Sequence, residues 1–139
     1  MLEVVKGAMA ALQEDAAAYS PGVLIWMKVM AAVLFSAVLF APTKTGARWI
    51  LVAALGTAFG LILFKVLFPD ASRTAIGTIV HLTLWPIVLA MVWKPDSRRQ
   101  RRHVPQSVFH RTYTVWLITA SAIMAVSILL DIKAALGWL

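Results

Sequence analysis

Four long apolar stretches separated by short polar breaks dominate the pattern of this chain, at residues 22–41, 49–68, 74–93 and 112–130. Each has about the 20 residues that a helix rising about 1.5 Å per residue needs to cross a bilayer core of about 30 Å. Backbone amides cannot stay unpaired in lipid, so each stretch is predicted to be helical, and the short breaks make neighbouring helices antiparallel. The pattern therefore predicts an all-α integral membrane protein, an up-and-down bundle of four transmembrane helices.

Residues 1–20 predict a separate amphipathic helix ahead of the first span. Their apolar positions recur at alternating spacings of three and four: Leu2, Val5, Met9, Leu12, Ala16 and Tyr19. An apolar stripe this narrow is typical of a helix that lies on the membrane surface or against another subunit. The alternative is a partly frayed, alanine-rich tail.

The composition of the chain agrees with a membrane location. Its 139 residues are 61% hydrophobic and 14% charged, whereas soluble domains average roughly 45–50% and about 25%. This length is typical of a single domain. The lack of cysteine excludes disulfides, thiolate metal sites and cysteine nucleophiles.

The distribution of Lys and Arg predicts the orientation in the membrane. Eight of the thirteen lie in the first and third breaks: Lys44, Arg48, Lys94, Arg98, Arg99, Arg101, Arg102 and Arg111. The chain ends and the second break hold only Lys6, Arg73 and Lys133. Because Lys and Arg of short loops stay on the cytoplasmic side, residues 94–111 are predicted to be a basic cytoplasmic loop. Both termini are then periplasmic, in a bacterial inner membrane.

The basic loop contains a dense cluster formed by Arg98, Arg99, Arg101 and Arg102. The orientation already explains the net charge of +7, so we do not predict nucleic-acid binding. The cluster is instead expected to attract anionic lipid headgroups, at about 1 kcal/mol per residue, or to dock on an acidic face of a partner subunit.

Small residues predict where helices pack closely. Gly56 and Gly60 form a GxxxG motif in the second span, which lets a neighbouring backbone approach. Ser121 and Ala125 form a similar pair of small residues in the fourth span. The sequence leaves open whether the neighbour belongs to this chain or to another.

Ionisable residues in the outer half of the bundle form the candidate site. Lys28 lies roughly 9 Å into the first span and His81 roughly 10 Å into the third, at about 1.5 Å per residue. Lys65 lies near the outer end of the second span, and Asp131 closes the fourth. Such groups normally face the bundle interior or a wet cavity, so we predict a polar layer that also includes Thr78. The alternative for the lysines is that their long stems carry the ammonium groups outward to the headgroups.

His81 is the residue of this layer that can take part in the most kinds of interaction, as a metal ligand or as a hydrogen-bond partner. Thr78, His81 and Trp85 share one stripe of the third span, so the imidazole is expected to face inward. A neutral imidazole can bind a tetrapyrrole metal or hydrogen-bond a quinone, but a lone histidine in a span more often bonds a neighbouring helix. We therefore predict no cofactor, with a tetrapyrrole or a quinone as the alternatives, and no other metal site.

No motif in the sequence names a reaction. The chain lacks the metalloprotease, nucleophile-elbow, P-loop and dinucleotide signatures, so we predict no catalytic residues and no enzyme activity. None of the four predicted spans contains Asp or Glu in its interior, which argues against an exporter driven by an embedded carboxylate.

The leading functional prediction is a non-catalytic accessory subunit of a larger inner-membrane complex of the respiratory or photosynthetic type, with other membrane subunits as partners. The first alternative is a small carrier or channel whose outer polar layer binds an anionic solute or a lipid headgroup. The second is a membrane redox protein in which His81 holds a tetrapyrrole or a quinone. The leading prediction, the accessory subunit, rests on the elimination of other functions, because fold alone does not define function.

Overall fold

A computed structural model describes residues 1–94 and 107–137 as helices joined by turns. The helices are α1 (Leu2–Ala17), α2 (Pro21–Phe35), α3 (Thr45–Leu67), α4 (Arg73–Val92) and α5 (Val108–Leu136), and a short 3-10 helix, Ser36–Leu39, continues α2. Except for α1, each is long and apolar enough to cross a membrane, α2 together with its 3-10 extension. The predicted fold class, an all-α membrane bundle with four spans and an additional N-terminal helix, is confirmed.

Serine side chains begin three of the helices. Ser20, Ser72 and Ser107 have extended backbones, and their hydroxyls accept hydrogen bonds from amides of the first turns of α2, α4 and α5. These bonds satisfy amides that have no partner within the helix, so each helix starts at a defined residue.

The helix that contains the fourth predicted span is longer than the apolar pattern indicated. The predicted stretch 112–130 ended before the first charged residue, but α5 has 29 residues and continues to Leu136. Asp131 therefore lies inside the helix, more than one turn before its end. The helix can include this carboxylate because side chains of α4 bond it. At the other end, residues 108–111 of the predicted loop are helical.

The GxxxG motif of α3 packs on α4 of the same chain. A methyl group added at Gly56 would lie 2.5 Å from Leu84 Cδ2, and one added at Gly60 would lie 3.1 Å from Val80 Cγ2. Side chains of α4 thus fill the space above both glycines, and α3 and α4 form the most extensive helix pair among the described residues.

Three tryptophans tie neighbouring helices together through their indole N–H groups. Trp85 Nε1 donates to Thr57 Oγ1 at 2.9 Å, Trp93 Nε1 donates to Ser121 Oγ at 3.1 Å, and Trp116 Nε1 donates to Ser36 Oγ at 2.8 Å. In an apolar interior such bonds satisfy donors that lipid cannot, and each contributes on average about 0.6 kcal/mol.

The two small residues predicted to pack in α5 differ in burial within this chain. Ser121 is buried and bonds Trp93, whereas Ala125 is exposed, so packing of the pair against another chain stays a prediction. The buried positions of α5 continue through Met124 and Ser127, and Ser127 Oγ donates to Met30 Sδ of α2 at 3.4 Å.

Helix α1 packs against α3 and α4 of its own chain. Ala8 and Leu12 are buried, whereas Leu2 and Met9 of the predicted stripe are exposed. The helix is fully formed from Leu2 to Ala17, and its narrow buried face covers the ends of two spans.

The arginine cluster of the basic loop, Arg98, Arg99, Arg101 and Arg102, lies outside the described residues.

Candidate functional site

A partly open cavity of about 420 Å³ lies between α2 and the other three spans. Its walls are mostly apolar and include Met27, Met30, Leu34 and Leu61. Small-molecule sites in proteins measure roughly 300–1,000 Å³ and combine apolar walls with few polar groups, so this cavity has the size and character of a ligand site.

An imidazole–carboxylate pair forms the polar part of the cavity wall. The distance between His81 Nδ1 and Asp131 Oδ2 is 2.8 Å, and Thr78 Oγ1 donates a hydrogen bond to Asp131 Oδ1 at 3.0 Å. The side chains of His81 and Asp131 are 13% and 18% exposed. Both carboxylate oxygens are therefore held by α4, and a carboxylate that is an acceptor fixes the proton of the ring on Nδ1.

The second ring nitrogen of His81, Nε2, is not sealed in the protein. Within residues 1–94 and 107–137, the hydrogen bond of this ring is the one made through Nδ1. No buried side-chain nitrogen or oxygen in the same part of the chain lacks a partner. Because His81 lines the cavity, we infer that Nε2 is the atom of this ring that a ligand can reach.

Trp85 packs against the imidazole of the His81–Asp131 pair. The ring centroids of His81 and Trp85 are 4.0 Å apart with the planes inclined by 33°, and Trp85 is fully buried. Its N–H is bonded to Thr57, which also lines the cavity. The carboxylate on one side and the indole on the other fix the orientation of the imidazole.

Polar groups of the segment that joins α1 to α2 and of the first turn of α4 lie at the edge of the cavity. Tyr19 Oη and Thr74 Oγ1 are 2.9 Å apart, and Arg73 donates through its guanidinium to the Leu12 carbonyl at 2.7 Å. Tyr19, Arg73 and Thr74 line the cavity. The start of α4 is thus bound to the N-terminal helix at the place where the cavity ends.

Lys65 belongs to a different polar cluster from His81. Its ammonium donates to Asp15 Oδ2 at 3.2 Å and to the Ala71 carbonyl at 2.9 Å, and its side chain is 8% exposed. The same Asp15 oxygen accepts the amide of Arg73 at 3.1 Å. Lys65 therefore fastens α1 to the α3–α4 turn and does not line the cavity.

The structure corrects the placement of Lys28. Its side chain is exposed on α2, and the residue does not line the cavity. Met27 and Met30 occupy the inward side, and each residue of a helix is rotated by about 100° from the one before it, which carries Lys28 away from them. His81, Thr78 and Asp131 come together as the polar layer predicted, whereas Lys28 and Lys65 lie outside this group.

Sequence reasoning missed the contribution of α2 and of Thr57 to the site. The inward residues of α2 are ordinary apolar residues, so their type carries no signal of a cavity. The one available signal was the indole N–H of Trp85, which needs a hydroxyl partner in an apolar interior.

Comparison of the chain with protein-family models, with curated proteins and with solved structures finds no match.

Proposed function

We propose that this chain is an integral membrane protein that binds a lipid-soluble ligand in the cavity between α2 and the other spans. The polar part of the ligand contacts His81, and its apolar part lies along the walls formed by α2 and α3. The observation that carries the proposal is the open Nε2 of an imidazole that a carboxylate orients within an apolar cavity.

The place of the His81–Asp131 pair supports the proposal. Ionisable residues within transmembrane segments are costly and usually mark functional sites. The bond between His81 and Asp131 reduces this cost, and it leaves the second ring nitrogen for a ligand at the wall of a partly open cavity.

The proposal combines parts of the two alternative predictions and is compatible with the leading one. An accessory subunit of a membrane complex can also bind a ligand, so the subunit prediction stays a prediction. The exposed position of Lys28 within the first span favours it, because a partner carboxylate or a lipid headgroup would then neutralise that ammonium. The proposed orientation keeps both termini periplasmic in a bacterial inner membrane.

Filling the cavity tests the proposal. Gly77 lines the cavity, and a methyl group added there would meet only Leu61 Cδ2, at 4.0 Å, so Gly77→Leu adds bulk without a backbone clash. We expect the purified variant to retain several-fold less lipid-soluble material than the wild type, measured by organic extraction and mass spectrometry. The physical reason is that the added isobutyl group occupies the space of the ligand.

Gly22→Leu is the matched control, because no atom lies within 4 Å of the added methyl group and Gly22 does not line the cavity. This control should retain the wild-type amount, and both variants should keep a wild-type melting temperature within a few degrees. Equal retention by Gly77→Leu and the wild type contradicts the proposal.

A further inference from the structure

The hydrogen bond to Asp131 defines what His81 can recognise. With Nδ1–H donating to the carboxylate, the neutral ring carries its lone pair on Nε2, so the open atom is an acceptor. It therefore complements a ligand hydroxyl. When the ring is protonated, Nε2 becomes a donor and complements a carbonyl in the same place. A ligand that presents either a hydroxyl or a carbonyl at one position fits both forms of the site.

Aromatic side chains of α2 favour a flat aromatic head. Trp26 and Phe35 lie on the α2 side of the cavity, whereas Trp85 is fully buried beneath the imidazole and only holds that ring in place. Aromatic rings prefer such neighbours by about 0.5–1.5 kcal/mol beyond the burial of their surface. An alkyl alcohol would satisfy Nε2 but would gain nothing from these rings.

The charges around the site disfavour an anionic head. The carboxylate of Asp131 lies on the cavity wall next to His81, and a second carboxylate or a phosphate there would be repelled. Arg73 also lines the cavity, but it begins α4 eight residues before His81, roughly 12 Å along the helix, so its positive charge lies at the edge of the cavity and away from the imidazole. Next to His81, among the described residues, the cavity is thus suited to a neutral head with oxygen atoms.

We infer that the ligand belongs to the quinol and quinone class, a neutral aromatic ring with paired oxygens on an apolar tail. This inference rests on the proposed function and specifies the ligand of that same cavity. One ring oxygen bonds His81 Nε2, as a hydroxyl donor in the quinol and as a carbonyl acceptor in the quinone. The ring lies against the aromatic wall, and the tail follows the apolar residues of α2 and α3.

Binding of decylubiquinol to the detergent-washed full chain tests the inference, with the bound analogue quantified by chromatography. We expect saturable binding that weakens about tenfold in His81→Ala, the effect of losing one hydrogen bond to an oriented group. His110→Ala is the matched control: His110 contacts Lys44 at the other end of the bundle and does not line the cavity, so binding should stay unchanged. Decylubiquinone should bind the wild type and also lose affinity in His81→Ala.

1-Decanol, which has a similar tail and a hydroxyl but no ring, separates the quinol class from alcohols in general. It should bind at least about tenfold more weakly than decylubiquinol, because it lacks the aromatic contacts. Equal binding of decanol, or equal loss in His81→Ala and His110→Ala, overturns the quinol inference. If decylubiquinol does not bind but Gly77→Leu still removes co-purifying material, the inference fails and the proposed function stands. If Gly77→Leu changes neither the binding of decylubiquinol nor the amount of co-purifying material, both the quinol inference and the proposed function fail.

Discussion

At the scale of single residues, the sequence predicts how deep a residue lies in the bundle, but it does not predict which way the side chain of Lys28 points. The sequence placed Lys28 and His81 at one depth and grouped them with Thr78 and Asp131 in one polar layer, and His81, Thr78 and Asp131 are in contact in the structure. Lys28 was assigned to the same layer because its depth matched, but its direction depends on how α2 packs against its neighbours. A lone sequence gives the rotation of residues within a helix and leaves the rotation of the whole helix undetermined.

Asp131 shows a second limit of the residue scale. A scan for apolar windows stops at a charged residue, so it placed the carboxylate at the end of the span. In the structure, Thr78 and His81 bond both of its oxygens, and the helix continues past it. Such partners come from another helix, which a scan along one segment does not include.

At the scale of helices, the close pair α3–α4 explains why glycines occur in the second span. Gly56 faces Leu84, and Gly60 faces Val80, so the two backbones approach without side chains on the α3 side. The sequence predicted close packing from GxxxG but left its partner open. The structure identifies the partner as α4, because the α3–α4 turn is short and brings the two helices side by side.

Gly56→Leu should therefore destabilise the chain itself. The added side chain meets Leu84 Cδ2, and overpacking of this kind costs about 1–3 kcal/mol, with a lower melting temperature in detergent. Gly22→Leu, the same change at an open position, should melt close to the wild type. A melting temperature of Gly56→Leu equal to that of the control would mean that α3 and α4 do not pack in this way.

Helix α1 was predictable from the pattern along one segment of the chain, whereas the cavity was not. The spacing of apolar residues predicted the helix, and α1 covers the ends of α3 and α4 through Asp15, Lys65 and Arg73. The cavity was not predictable, because its volume depends on how side chains from four helices fill one space. The residues of its α2 wall have no feature that distinguishes them from a packed core.

At the scale of the whole molecule, the orientation in the membrane is open to test. The partition of Lys and Arg between the breaks predicts that the end of the cavity at the start of α4 lies on the periplasmic side of the membrane. A reporter enzyme that is active only in the periplasm should work when it is fused after Leu139. Activity from a fusion near Gln100, with no activity after Leu139, would reverse the orientation and place this end of the cavity on the cytoplasmic side.

The proposed function depends on the bond by which Asp131 orients His81 at the wall of the cavity, so that Nε2 is available to a ligand. Nitrogen NMR of the imidazole tests it most directly, with His81→Ala identifying the signal among the three histidines of the chain. We expect the proton on Nδ1 in all samples, and a shift of the Nε2 signal between protein that retains its co-purified ligand and protein stripped of it. A neutral His81 with its proton on Nε2, or an Nε2 signal identical in the two samples, would contradict the account.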